Sequence, residues 1–315
     1  MVKVGFVLGA EASTLPAASI RELEASGVDS LWGAGRLSSR VPAPEAVTTT
    51  ARLAALTERA TVGTAVLVLP LHPPLVIAKQ FAELDHSTGG RIALGIGVGS
   101  DPAEAAACGV DPTTRGARAD EAIEVIRALW EGGKVTRTSP WWDLARVSVS
   151  PPPLRPGGPP ILVAGRKSPA MRRAARVGAG WLPTMFSPGA YERSVAEVRE
   201  HAAAIGRDLG DDFEWLCLLY ARVDADGERA RLDGAAAMAA EMGGDPADYA
   251  GLAARSAAMG TPEEVAAALQ RYVDAGVTHL ILNACGPDAV EQRLRIMADV
   301  VPLLDPHRAA PVPAH

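Results

Sequence analysis

The sequence predicts an α/β protein built as a (β/α)8 TIM barrel with insertion segments, and three observations carry that expectation. Eight short β-branched runs alternate with longer Ala/Leu/Glu/Arg segments of helical period. Helical segments tend to close on glycine just before the next run, as in Ala25-Ser-Gly-Val28 and Ala275-Gly-Val277. The length of 315 residues lies within the range that such barrels reach as one domain. A parallel sheet follows, because crossover helices return each strand in the same direction.

The first strand is read at 2–8, where Val-Lys-Val-Gly-Phe-Val-Leu runs almost from the N-terminus. The others fall near 30–32, 61–69, 91–97, 161–164, 180–183, 214–223 and 278–283, each a β-branched or apolar run between turn residues. Helices are read near 16–26, 44–58, 74–86, 115–131, 169–177, 189–205, 262–275 and 289–301. Several open on proline, whose fixed φ and missing N–H suit a first helical turn. Two segments break the rhythm: 134–160, rich in Pro and Trp, and 224–260, Ala-rich with Gly243-Gly244. Both are expected as insertions over the barrel mouth, where long excursions commonly serve as lids or binding loops; a packed surface excursion accounts for either equally well. Residues 1–315 are expected to form a single domain with a frayed tail at 309–315.

Hydrophobic residues make up 48% of the chain and charged residues 22%, enough apolar content for a large core. The formal net charge of −6 gives no electrostatic reason to expect nucleic acid as a partner. Cys108, Cys217 and Cys285 are far apart and lack C-x-x-C spacing, so neither a disulfide framework nor a zinc site is expected. The N-terminus lacks the pattern of a signal peptide, and no run reaches 18 uninterrupted apolar residues. The expectation is a soluble cytoplasmic protein that contacts no membrane.

The segment Val62-Gly-Thr-Ala-Val-Leu-Val-Leu-Pro-Leu-His-Pro-Pro is followed by Ala78-Lys-Gln, Leu84-Asp and Gly89-Gly-Arg-Ile-Ala-Leu-Gly-Ile-Gly-Val-Gly99. Then come Arg118-Ala-Asp-Glu-Ala-Ile-Glu, Ala128-Leu-Trp-Glu-Gly, Pro159-Pro-Ile-Leu-Val-Ala-Gly and Arg173-Ala-Ala-Arg-Val-Gly-Ala-Gly-Trp. In this order, across most of residues 1–185, the chain resembles the luciferase-like monooxygenase superfamily. The resemblance implies a (β/α)8 barrel with insertions whose mouth holds FMN or the deazaflavin F420. It also implies a non-prolyl cis peptide bulge on the third strand, near Thr64 and Ala65.

Within that frame, Gly97 and Gly99 end the fourth strand, where backbone without side chains admits a flat ring; a tight turn explains them equally well. Gly165, Arg166, Lys167 and Ser168 lie between the fifth strand and a helix, where free N–H groups and the positive helix end favour an anion. The resemblance implies that this turn grips the cofactor phosphate; a Ser-Pro helix start with Ser168 as N-cap needs no ligand. Arg118 is a phosphate-binding candidate by the same resemblance. An ion pair with Glu121 one turn away is the simpler reading, and Arg115 competes by spacing.

For proton handling the strand ends offer Glu11, His72, Asp101 and Glu104, with Glu11 and His72 taken as the catalytic candidates. His72 also reads as a turn histidine before two prolines. The sequence departs from F420-using relatives after the second strand, where Leu31-Trp-Gly-Ala-Gly-Arg36 holds no histidine. Arg36 and Arg40 are candidates for an anionic substrate or the cofactor tail. The leading expectation is an F420-dependent oxidoreductase acting on a small molecule; the resemblance also implies a homodimer, with helices near 47–58 and 78–84 as contact surfaces, although such stripes also bury themselves within a monomer. The alternatives are an FMN-dependent monooxygenase served by a separate cofactor reductase, and a non-catalytic flavin-binding homologue.

Overall fold

In the computed structural model, which describes residues 2–39 and 41–304, strand parity brings one apolar side chain from each of eight strands into a common interior. These are Val7, Trp32, Ala65, Ala93, Leu162, Leu182, Leu216 and Ile281. The barrel strands are Lys3–Leu8, Ser30–Gly33, Thr61–Thr64, Ile92–Gly97, Ile161–Ala164, Gly180–Leu182, Glu214–Val223 and His279–Ala284. All pair in parallel, and the ring closes where the eighth strand meets the first, with Lys3 opposite His279 and Phe6 opposite Leu282. Arg40 and the tail at 309–315 lie outside the described residues.

The interior is filled by pairing one very large residue with very small ones. Trp32 is fully buried, its indole lying against Gly5 on one neighbouring strand and Gly63 on the other. A Cβ on Gly63 would stand 2.7 Å from Trp32 Cζ3, so the third strand leaves that space open. The opposite strand faces carry the larger core, in which Phe6, Leu31, Val62, Leu94, Val163, Leu219 and Leu282 pack under the surrounding helices. Burial of this kind contributes roughly 1.5–3 kcal/mol per large side chain before chain entropy is counted.

The third strand is not the continuous run that its composition predicts. It stops at Thr64, passes a cis peptide between Ala65 and Val66, and resumes as Leu67–Val68 beside the fourth strand. A 3-10 turn, Leu69–Leu71, follows. The helix expected at 289–301 likewise divides, into Ala289–Arg295, a π turn at Ile296–Val300 and a 3-10 turn at Val301–Leu303 where Pro302 interrupts the hydrogen-bond pattern. The helices Ala17–Ala25 and Ala46–Leu56 begin after, not on, their prolines, and Glu45 caps the second through the amides of Val47 and Thr48.

The two insertions part company. Segment 134–160 folds into an antiparallel hairpin, Val135–Thr138 with Asp143–Val147, that climbs the outside of helix Arg115–Trp130 through Arg137 with Glu121 and Glu124. It returns along helix Pro74–Thr88, where Lys79 and His86 bind the carbonyls of Ser150 and Pro152. It therefore packs along the barrel wall, and its turn, at Trp141 and Trp142, meets Arg118 near the mouth end of helix Arg115–Trp130. Segment 224–260 forms helices Gly227–Met242 and Pro246–Ser256 and a short strand, Ala258–Gly260, beside the extended seventh strand. This insertion reaches the mouth.

Candidate active site at the C-terminal mouth

At the mouth the interior floor consists of Ala34, Val66, Ala164 and Leu218, small or medium apolar side chains that are only partly buried. The side of the floor between strands three and four is fixed by a close backbone crossing. Thr64 Oγ1 donates to the Gly95 carbonyl at 2.7 Å, and a Cβ on Gly95 would fall 1.9 Å from the Thr64 carbonyl oxygen. One on Gly97 would stand 2.9 Å from Val66 Cγ2, and one on Gly99, whose φ is 75°, 2.7 Å from Val68 Cγ1. The three alternating glycines are thus matched one to one with Thr64, Val66 and Val68, and the bulged strand lies directly against them. Thr64 itself is buried, its hydroxyl engaged in the wall, while Ala65 N binds the Gly33 carbonyl at 2.9 Å.

The turn after the fifth strand leads into helix Ser168–Val177. Lys167, extended, is its N-cap, and no side chain caps it; Ser168 is the first helical residue instead of the cap. The Ser168 hydroxyl stands 3.2 Å from His201 Nε2 and accepts from Arg172 Nη1 at 2.8 Å. Gly165 takes a φ of 129°, and a Cβ there would meet Ala170 at 2.6 Å. Arg166 and Lys167 are exposed at this uncapped helix end.

The neighbouring helix, Arg115–Trp130, is tied to this corner by the buried Arg173, which binds the Gly116 carbonyl at 3.0 Å and pairs with Asp120. In its first turn Arg115 donates through Nε to the Pro112 carbonyl, while its Nη1 is buried with no hydrogen-bond partner. Arg118 points elsewhere: Nε binds the Pro70 carbonyl at 3.2 Å and the guanidinium stacks on Trp142 and Trp141 of the hairpin. The expected pair with Glu121 does not form, because Glu121 is taken by Arg137.

The carboxylates predicted at the strand ends are spread among structural tasks. Glu11 pairs with Arg293, a side chain only 1% exposed, and accepts from the Gly9 amide. Asp101 caps helix Pro102–Ala107 at the Ala103 amide. Glu104 is buried and accepts from the amides of Leu37 and Ser38, fixing the loop after the second strand. His72 follows the 3-10 turn; burial lowers its pKa, opposed by the charges of Glu45 and Glu104, so the imidazole is neutral at neutral pH.

A cluster absent from the sequence reading completes the rim. Tyr220 and Asn283 are register partners on strands seven and eight and continue the inward parity of Leu216, Leu218 and Ile281. Glu241, from the insertion helix, accepts from Asn283 Nδ2 at 3.2 Å and from the Tyr220 hydroxyl. Glu241 keeps a solvent-facing surface, yet enough protein surrounds it that burial pushes its carboxyl up. The hydrogen bonds from Tyr220 and Asn283 and the charge of Arg36 oppose that rise, and the charge of Glu11 adds to it.

At the opposite, N-terminal end of the barrel a cavity of about 230 Å³ is lined by Lys3, Asp29, Arg91, Glu214 and His279 among others. His279 sits between Ser30 and Glu214, and Trp32 donates to the same Ser30 hydroxyl. Its cations are already engaged, Arg91 on the carbonyls of Thr57 and Ala60, Arg155 on that of Gly90 and Lys3 on Glu214. No helix among the described residues is long and apolar enough to cross a membrane.

A family model described as luciferase-like monooxygenase matches residues 16–279. The F420-dependent glucose-6-phosphate dehydrogenase of Kineococcus radiotolerans is 34% identical over 313 aligned residues, 90% of this chain and 91% of that one. The 4-hydroxyprotoasukamycin monooxygenase of Streptomyces nodosus subsp. asukaensis is also 34% identical, over 227 residues; that match takes in 67% of this chain and 59% of the monooxygenase. In fold, an F420-dependent secondary alcohol dehydrogenase superposes with a TM-score of 0.83 at 20% identity, covering 96% of this chain and 99% of that one.

Proposed function

This chain belongs to the luciferase-like monooxygenase family, and from that premise we propose that it is an F420-dependent oxidoreductase moving a hydride between the deazaflavin and a small organic substrate. One observation carries the choice of cofactor. The match to an F420-dependent dehydrogenase runs over nine-tenths of both chains, whereas the match to a monooxygenase spans 59% of that protein.

The corner at the fifth strand fits a cofactor phosphate on two counts, an uncapped helix end and an unpaired buried guanidinium, on a glycine turn. The helix Ser168–Val177 has no capping side chain, Arg115 Nη1 is buried and unpaired in the adjoining first turn, and Gly165, at a φ of 129° with no room for a Cβ beside Ala170, lets the backbone turn tightly into the helix. In this reading the amides of Lys167 and Ser168, with Arg115, Arg166 and Lys167, hold the phosphate. When bound, the cofactor supplies the two-electron redox chemistry that no side chain here carries. The floor of Ala34, Val66, Ala164 and Leu218 gives a flat ring an apolar bed, held rigid by the crossing of Thr64 over Gly95. Fixing two reactants in one orientation is worth several kcal/mol of the barrier, on the order of 7–11 for an ideal alignment. His72, kept neutral, offers an acceptor at the rim.

The second reading is an FMN-dependent monooxygenase served by a separate reductase, favoured by the likeness to the Streptomyces enzyme. A non-catalytic flavin-binding role is the third. Titrating the purified protein with F420 and with FMN, each followed by fluorescence quenching, separates them. Saturable quenching by F420 without response to FMN supports the proposal, and FMN binding alone supports the second reading. Binding without turnover of any alcohol or carbonyl panel supports the third; binding of neither overturns all. Homodimerisation through helical faces near 47–58 and 78–84 belongs to the same proposal and is checked by sedimentation velocity.

A further inference from the structure

We infer that Glu241, supplied by the 224–260 insertion and held by Tyr220 and Asn283, is the residue that exchanges a proton with the substrate oxygen at this mouth. This rests on the redox reading above. Hydride transfer to or from an oxygen-bearing carbon leaves a proton to be moved, and the chain must either place a group for it or rely on water. The carboxylates predicted from the strand ends are occupied: Glu11 by Arg293, Asp101 by a helix cap, Glu104 by two loop amides.

Glu241 differs from these in three respects. It stands over strands seven and eight, whose inward parity runs from Leu216 through Leu218 to Tyr220 and from Ile281 to Asn283. Its partners are neutral donors, so no cation locks it in the ionised form: Asn283 Nδ2 at 3.2 Å and the Tyr220 hydroxyl, whose ring is held under the insertion by Met238 and Met259. It keeps open surface, where the buried Glu104 does not. The charged groups that bear on it are Arg36 from the loop after strand two and Glu11 from the turn after strand one. Burial pushes its carboxyl above the ordinary value of 4.5, toward the range in which a carboxyl both gives and takes a proton.

In the oxidising direction the alcohol C–H bond breaks and its hydrogen leaves as hydride to oxidised deazaflavin, which is reduced. The O–H bond breaks with its proton passing to the Glu241 carboxylate, and the carbonyl forms. In the reducing direction the protonated Glu241 returns that proton to the oxygen as the carbon receives the hydride. Tyr220 and Asn283 are positioning residues that hold the carboxyl over the floor.

The test uses the full chain, with cyclohexanone and cyclohexanol as probes. In the cofactor-free protein, the carbon resonance of the Glu241 carboxyl is expected to titrate above 4.5 and to move higher still in Tyr220→Phe, which removes one stabilising donor. In the F420-loaded protein, Glu241→Gln is expected to lower the rate of ketone reduction at least 100-fold and to abolish its pH dependence, with F420 affinity within twofold of wild type; Glu241→Asp restores part of the rate. Tyr220→Phe shifts the pH profile upward with the carboxyl. A carboxyl midpoint at or below 4.5, or a Glu241→Gln enzyme with the wild-type rate and profile, overturns the inference. Wild type that binds F420 yet neither binds nor turns over the probes also overturns it, leaving the cofactor reading intact. Failure to bind F420 sinks that reading instead.

Discussion

Ser30 Oγ and His279 Nε2 lie 2.7 Å apart at the N-terminal end of the barrel, and His279 Nδ1 reaches Glu214 Oε2 at 2.9 Å on its other side. Burial alone would raise the Glu214 carboxyl, but the hydrogen bond and charge of His279 and the ammonium of Lys3 hold it below its ordinary 4.5. A carboxyl depressed in the folded state stabilises the protein above its unfolded value, and that contribution is lost as pH falls through the folded one. Denaturant unfolding of wild type should therefore weaken steeply below pH 4.5, and Glu214→Gln should flatten that limb while costing about 1–3 kcal/mol at pH 7. An unchanged acid limb in the variant would count against the assignment.

Gly95 and Gly97 face different obstacles, which separates two substitutions of the same kind. An alanine at 95 drives its methyl into the backbone carbonyl of Thr64, so Gly95→Ala should cost about 3 kcal/mol or more. At 97 the methyl meets a side chain, Val66, and Gly97→Ala should cost about 1–2 kcal/mol, much of it recovered in the double variant with Val66→Ala. Equilibrium urea curves for wild type, Gly97→Ala, Val66→Ala and the double variant measure the coupling, with Gly95→Ala beside them.

Glu11 and Arg293 form an asymmetric pair, the guanidinium nearly sealed and the carboxylate partly open. Removing the acid strands a buried cation whose Nε and Nη1 already lack partners. Glu11→Gln is expected to destabilise by about 3–5 kcal/mol, and Arg293→Met by clearly less. Thermal unfolding of both, with and without F420, distinguishes a structural acid from a catalytic one: a Glu11→Gln protein of wild-type stability would refute the structural role.

The two arginines competing for the phosphate are told apart by their present partners. Arg115→Gln, which removes the unpaired buried Nη1, should weaken F420 and FMN alike by about tenfold, an effect that fades with added salt. Arg118→Gln should leave affinity within about twofold and instead loosen the hairpin that stacks on it, seen as faster amide exchange at Trp141 and Trp142. Equal losses from both would mean that Arg118 leaves its tryptophans for the ligand.

Much of this architecture is legible in the amino-acid order because barrel strands are short, buried on both faces and separated by helices of fixed period. The eight runs, from 2–8 to 278–283, stand out for that reason. The break after Thr64 leaves no mark in composition, since a cis peptide changes direction without changing residue type; only the family resemblance points to it, near Thr64 and Ala65, and it lies at Ala65–Val66. The hairpin at 135–147 is hidden by its alternating polar residues, which face solvent on one side and Glu121 and Glu124 on the other. Glu241 reads as one more solvated charge near a helix end; only the folded chain, by bringing Tyr220 and Asn283 beneath it, gives it a chemical setting. The glycines at 95, 97 and 99 are easy to find and hard to interpret, because their reason lies on another strand.

The join between Lys3 and His279 sets the order of events during synthesis. The opening strand emerges from the ribosome almost a whole chain before its second neighbour exists, so one of its edges stays bare throughout translation. Rapid helix formation cannot close that gap, because the last pairing joins residue 3 to residue 279. Nascent chains truncated before residue 279 should therefore recruit chaperones and remain protease-sensitive, and release from both should coincide with completion of the eighth strand.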